Sequence, residues 1–189
     1  TLTDLIFPFF LFIVGVSITL SHRSLGPWWP MVRRALIIFG LGLFLAEDPR
    51  FDVTRWRIPG VLQRIAVCYL AAAILYKLTA FEGPRRRAWQ ATAIGGVALV
   101  LLMGYWAAMT LVLVPGGQAG DLTPEGNLAA FVDRALMSGH LWKPTWDPEG
   151  LLSTVPAIAT TLLGVLTGLW IAASAAKPER GAAPLVAVG

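Results

Sequence analysis

Charged residues are scarce in this chain. They make up 14% of its 189 residues, while hydrophobic residues make up 56%; average soluble domains carry roughly 25% charged residues. With a mean hydropathy of +0.67, that balance excludes a water-soluble globular enzyme, and the apolar content excludes a disordered chain. Cysteine occurs once, at Cys68, which excludes a disulfide scaffold. No metal site is expected. No basic n-region or cleavage site marks a signal peptide before the first apolar run. What the chain does have is positive charge, a formal net of +4 with a pI near 9.7. That would suggest nucleic acid only if the basic residues shared one face.

They do not, because long apolar runs divide them. A transmembrane helix needs roughly 20 mainly apolar residues, and five stretches qualify or nearly do: residues 5–20, 30–46, 60–78, 88–114 and 151–176. The second is the weakest, with a clean apolar core only over 35–46. It reads as re-entrant, or as a full span if Arg33 and Arg34 snorkel and Trp28 and Trp29 form an interfacial belt. The connections alternate in sign. Arg23, Arg33 and Arg34 mark one, and Lys77 with Arg85, Arg86 and Arg87 another, whereas residues 115–150 hold five acids against Arg134 and Lys143. The positive-inside rule then puts the basic loops in the cytoplasm and residues 1–4, 47–57 and 115–150 outside. The arginines are topology signals, so no nucleic-acid partner is expected. The fold class is all-α: a polytopic membrane bundle of about five spans plus a short amphipathic loop helix. Thr123 and Pro124 resemble that helix's start, and Leu128, Phe131, Val132, Ala135 and Leu136 recur at helical spacing. Because the first residue is Thr1 and residues 184–189 resemble the start of another apolar segment, residues 1–189 read as a single membrane domain incomplete at both ends.

Polar groups inside or beside spans are costly and are functional candidates. Asp4 opens the first span, either as a helix cap at capping-box spacing from Thr1 or as a functional carboxylate. Pro8 removes the amide that would bond the carbonyl of Asp4. Arg57, Gln63 and Arg64 surround the start of the third span, where Pro59 suits a first helical turn. A helix beginning there puts Arg57 and Arg64 on one face and Gln63 one residue round from Arg64, which is then either a snorkelling interfacial arginine or, with Gln63, an internal polar site. His140, Asp147 and Glu149 precede the fifth span. The two acids either cap it or bind a hydroxyl-rich or cationic substrate beside Trp142 and Trp146. His22 reads as a surface residue and Cys68 as packing. Gly164 and Gly168 form a GxxxG pair, suited to close helix contact. By topology, Asp4, Arg57–Arg64, His140 and Asp147–Glu149 all fall at the outer face, the composition of a polar small-molecule site rather than an evenly lined channel.

Three stretches carry a family resemblance: residues 3–15 (TDLIFPFFLFIVG), residues 57–64 (RIPGVLQR), and a third running from Gly126-Asn127-Leu128 through Asp133-Arg134 and His140-Leu141-Trp142 to Asp147-Pro148-Glu149-Gly150. Together they resemble the heparan-alpha-glucosaminide N-acetyltransferase family and its bacterial relatives. The resemblance implies a polytopic acyltransferase that moves an acetyl group from cytoplasmic acetyl-CoA to the amino group of a terminal glucosamine on the outer side. It also implies a multi-pass protein of a bacterial inner membrane, with residue 1 outside. The family's catalytic histidine lies in a short motif before the segment matching Thr1, so none is assigned, His140 is not promoted in its place, and residues 1–189 alone are expected to be inactive. Asp4 matches the aspartate beside that motif and is the catalytic candidate. Arg57, Gln63, Arg64, His140, Asp147 and Glu149 are the substrate-binding candidates.

The chemistry suits such a site. An unprotonated amine attacking a thioester needs a general base, and the developing oxyanion needs donors such as Arg or Gln. Arg33, Arg34 and Arg85 to Arg87 could meet the phosphates of CoA, although the positive-inside rule already accounts for them, so no donor-binding residue is assigned. The expected partners are a small amino sugar, acetyl-CoA and the lipid bilayer, with homo-oligomerisation left open. The alternative is an amino-sugar or peptidoglycan-fragment permease with no covalent step.

Overall fold

The computed structural model describes residues 2–21, 26–46, 57–80 and 86–175, with the side chains of 2–4 and 86 outside that description. Among the described residues the regular elements are helices, with no strands: α1 (Leu2–Leu20), α2 (Trp28–Leu45), α3 (Val61–Leu78), α4 (Arg86–Leu111), α5 (Leu128–Met137) and α6 (Thr154–Ala175). Four of them are long and apolar enough to cross a membrane: α2, α3, α6 and Arg87–Leu111 of α4. In α1 the apolar stretch Leu5–Leu20 is shorter, but the whole helix has 19 residues. At about 1.5 Å per residue it reaches about 28 Å, close to the hydrocarbon thickness of a bilayer. The chain is thus a multi-pass helical membrane bundle. The second segment is long enough for a complete span: α2 begins at Trp28 and takes both tryptophans and both arginines into its first two turns.

α1, α3 and α4 pack around α6, and α2 packs on α3. α1 and α6 run parallel, with Phe12 beside Gly164, Gly15 beside Thr161 and Val165, and Thr19 beside Gly168. Glycine is what permits the approach. A methyl group at Gly15 would lie 2.0 Å from the Thr161 carbonyl oxygen, and one at Gly164 would lie 2.0 Å from that of Phe12. Where lipid gives no hydrophobic drive to helix pairing, such close backbone contact supplies the dispersion energy that holds the pair. α3 adds Ile65, Cys68, Ala72, Ala73 and Tyr76, and α4 adds Ile94 and Ala98, to the apolar interior. Polar atoms there are satisfied locally: Thr161 donates to Ala157 O at 3.1 Å and Gln90 to Tyr76 O at 2.9 Å.

This packing gives the bundle two chemically different ends. At one end, Lys77 donates to Gly26 O and lies over the Trp28 ring, and Arg87 donates to Ala172 O at 3.4 Å; this is the basic end. At the other, the starts of α3 and α6 meet the long connection that carries α5.

α5 itself differs from expectation at its start and on its face. The helix is capped by Asn127, whose side-chain oxygen accepts from Ala130 N at 2.8 Å. Thr123 instead closes the preceding turn, its hydroxyl accepting from Gly126 N at 3.2 Å. The buried face is Ala130, Asp133 and Met137, while Leu136 is 69% exposed. A carboxylate is buried at the expense of a leucine because Asp133 has a partner across the loop, described next.

Candidate functional site

Arg57 lies outside α3, in the segment before the N-cap Gly60. The expectation that it shares a helix face with Arg64 is therefore replaced by another arrangement: both arginines reach the same short segment, residues 147–153, one from the loop and one from the first turn of the helix. Arg57 grips Asp147 with two nearly parallel bonds, Nε to Oδ2 at 3.0 Å and Nη2 to Oδ1 at 2.8 Å, and also donates to Glu149 Oε2. This fork geometry is the strongest way a guanidinium can hold a carboxylate. Arg64 donates to Pro148 O at 2.7 Å and to the Ser153 hydroxyl, with Phe7 of α1 under its guanidinium at 5.6 Å.

Asp147 is the centre of this arrangement. Besides the two bonds from Arg57 it accepts from Trp142 N at 2.7 Å and Glu149 N at 2.9 Å, and its side chain is 0% exposed. Burial alone would raise its carboxyl; the Arg57 hydrogen bonds, the two amides and the Arg57 charge outweigh that and hold it below the ordinary carboxylate value. With four donors its acceptor capacity is filled, so Asp147 organises the segment and has little left for a ligand. It does not cap α6, which starts at Thr154. Glu149 keeps unused acceptor capacity and a side chain 19% exposed. For Arg57, burial pulls the guanidinium down, but the hydrogen bonds and charges of Asp147 and Glu149 more than reverse it.

Two residues outside the expected set complete the frame. Asp133 of α5 is 1% exposed and accepts from Leu151 N at 2.9 Å. Its Oδ2 has no hydrogen-bond partner and rests against Gly150, where a methyl group would lie 1.8 Å away. Burial raises the Asp133 carboxyl, the Leu151 amide opposes it, and the Asp147 charge adds to the rise. Arg134 donates to Glu125 O at 2.8 Å and Thr145 O at 2.6 Å. The sequence held two signals for Asp133: its place in the third stretch that carries the resemblance, and an acid between Ala130 and Met137 on the face that helical spacing aligns.

The frame displays an aromatic corner. Trp142 and Trp146 meet edge to face at 5.8 Å, Lys143 lies 5.0 Å from both rings, and Arg57 lies 5.9 Å from Trp142, which is 53% exposed. His140 enters through its backbone, its carbonyl accepting from Ile58 N at 3.2 Å. Gln63 is not part of this cluster. It is 5% exposed and its amide packs against Gly60 and Gly42 of α2, with Nε2 lacking a partner. Asp4 lies in the first turn of α1; its side chain is outside the described residues.

These elements coincide with the stretches that carry the sequence resemblance, and a profile of the family described as heparan-alpha-glucosaminide N-acetyltransferase, catalytic, matches residues 1–186. The chain belongs to this family. It is similar to the human heparan-alpha-glucosaminide N-acetyltransferase, 30% identical over 219 aligned residues covering 89% of this chain and 32% of the human protein. The mouse protein of the same name is 29% identical over 216, covering 89% and 33%. The chain thus spans about a third of the length of these heparan-alpha-glucosaminide N-acetyltransferases. Within the family's catalytic region, the RIPGVLQR stretch and the segment 147–150 are here one physical unit, joined by Arg57 and Arg64.

Proposed function

We propose that this chain is part of a membrane N-acetyltransferase, transferring acetyl from acetyl-CoA in the cytoplasm to the amino group of a glucosamine-type sugar at the outer face. Residues 1–189 form one transmembrane acyltransferase domain in this reading, in a bacterial inner membrane with residue 1 outward. The observation that carries it is the Arg57–Asp147–Glu149 cluster, which pins the segment bearing Trp142, Lys143 and Trp146. Indole faces stack on the apolar face of a pyranose, and Glu149 has acceptor capacity for a sugar hydroxyl or for the ammonium before it loses its proton. Arg57, Asp147 and Arg64 position that surface, His140 ties it to the start of α3, and Gln63 braces α3 against α2. Asp4 is the catalytic carboxylate of this reading, beside a histidine contributed by the segment before Thr1.

In the reaction the amine nitrogen attacks the thioester carbonyl, the carbon–sulfur bond breaks with CoA leaving as thiolate, and the base takes the proton lost by nitrogen and passes it to the sulfur, giving the thiol. The test uses membranes carrying the full-length protein, labelled acetyl-CoA and glucosamine. Labelled N-acetylglucosamine is expected, reduced at least tenfold by Glu149→Gln. A well-folded protein that forms none sinks the reading, and sugar uptake without acetylation would mark a permease instead.

A further inference from the structure

The two ligand-facing features of the outer site come from one stretch of chain. Trp142 and Trp146 form the indole corner, and Glu149 follows within the same turn-rich segment. One guanidinium stands between them: Arg57 donates to Glu149 Oε2 and lies 5.9 Å from the Trp142 ring. A sugar that stacks on the indole and offers its amine to Glu149 therefore meets two groups whose spacing is set by the fold of residues 142–151. Arg57 bonds side chains of that stretch, those of Asp147 and Glu149. The backbone between them is held from elsewhere.

Two neighbouring residues of α5 hold it. Asp133 and Arg134 diverge by about 100° round the helix. Asp133 is turned inward, 1% exposed, and accepts from Leu151 N at 2.9 Å. Arg134 donates through Nη1 to Thr145 O at 2.6 Å and to Glu125 O at 2.8 Å. The segment between Thr145 and Leu151 would span about 20 Å if extended, yet both its ends return to adjacent positions on one helix. It is thus closed into a loop against α5. Inside the loop, Gly150 N donates to Asp147 O at 3.2 Å and Glu149 N to the Asp147 carboxylate at 2.9 Å. Gly150 lies directly on the Asp133 carboxylate, with no room for a methyl group, and Arg64 reaches from α3 to Pro148 O at 2.7 Å. At ten residues, α5 is too short to be stable alone. Its rigidity comes from the Asn127 cap and from packing against α4. Burying a carboxylate and ordering an arginine both cost free energy; what they secure here is a fixed separation between the indole corner and Glu149.

We propose, on the acetyl-transfer reading above, that α5 is a brace that sets acceptor specificity. Asp133 and Arg134 are positioning residues that fix the distance and angle between the indole platform and Glu149. They thereby select a hexosamine by where its amine stands relative to the ring face. Glucosamine carries its amine equatorially and meets both groups. Its C2 epimer, mannosamine, carries the amine axially and meets only one. A rigid site whose polar partner is misplaced rejects a ligand far more strongly than one free to adjust.

The test uses the full-length protein in nanodiscs, below the onset of melting of every variant. Deuterium exchange of the ligand-free protein reads the brace itself: amides of residues 142–151 exchange faster in Asp133→Ala and in Arg134→Ala, while those of α1 do not change. Calorimetric titration without acetyl donor reads selection. The parent protein is expected to bind glucosamine about tenfold more tightly than mannosamine, and in either variant glucosamine binding falls while mannosamine binding changes little, so the ratio collapses. In the acetylation assay KM for glucosamine rises and KM for acetyl-CoA stays the same. Asp133→Asn, which keeps an acceptor for the Leu151 amide, retains the parent's values. Unchanged exchange, an equal loss for both epimers, or an Asn variant that behaves like the Ala variant overturns the brace. A parent protein that binds neither amino sugar overturns the acceptor reading and this inference with it, whereas a parent that discriminates and variants that discriminate equally overturn this inference alone.

Discussion

Among single residues, Asp147 and Asp133 show how two carboxylates of one loop take opposite parts. Asp147 is held by four donors and Asp133 by one amide, and their carboxyls move in opposite directions from the ordinary value. Replacing Arg57 by Gln leaves Asp147 buried with only its two amide partners. A fully buried pair broken on one side costs about 3–5 kcal/mol; with Arg57 29% exposed the expected loss is less, about 2–3 kcal/mol, read as a lower melting temperature in detergent. Arg57→Lys restores only part of it, because the fork is lost. The pH dependence follows by linkage. A carboxyl held low in the folded protein stabilises above the unfolded value, roughly 3.9, and that stability disappears as pH falls through the folded value. Without Arg57 the lowering from its hydrogen bonds and charge is lost, so Asp147 no longer contributes acid destabilisation to the Gln variant, and the stability gap between it and the parent protein narrows as pH falls. A gap that stays constant into acid would refute this. For Asp133 the test is a pair of variants. Asp133→Asn keeps an acceptor for the Leu151 amide and removes a buried charge, so stability is retained; Asp133→Ala orphans the amide and costs about 1–3 kcal/mol.

At the level of the helices, the α1–α6 pair depends on backbone contact. Gly164→Ala forces a methyl group to within 2.0 Å of the Phe12 carbonyl oxygen, with no flexible side chain to yield. The two helices must separate, and the expected loss is about 1–3 kcal/mol by the usual cost of overpacking. Gly40→Ala, with open space around it, is the control and leaves melting unchanged. Equal melting of both variants would show that the contact is not limiting. The spans themselves were legible as apolar runs, and the observed α3, α4 and α6 fall within a few residues of them. The second segment was ambiguous because two arginines shorten its apolar core; the observed α2 has 18 residues and is long and apolar enough to span. α5 was legible as a helix but not as to its buried face. Spacing ranks leucine above aspartate for burial, and only a partner amide from a distant loop reverses that order.

For the whole bundle, the two unlike ends make an orientation prediction. With the basic end cytoplasmic, a cysteine at Gln118 should react with an impermeant maleimide in intact cells and one at Gly26 only after lysis; the reverse pattern would invert the topology. Cys68 is buried, so this chain's own thiol contributes no background. The sequence by itself determined the helical class, the number and approximate bounds of the spans, the segregation of charge between their ends, and the family, because each is written in local composition or in ordered motifs. It also singled out Arg57, Arg64, Asp147 and Glu149, since charge beside an apolar run is costly wherever the run folds. Tertiary structure alone decided which of these meet. Arg57 and Asp147 are 90 positions apart, and no periodicity encodes their fork. Gln63, next to Arg64 in the chain, turns to α2 instead, and Asp133 joins the frame through one amide. Pairing across a bundle is settled by the packing of whole helices, where close approach of Gly15 and Gly164 brings α1 against α6 and the guanidiniums of Arg57 and Arg64 tie the start of α3 to residues 147–153.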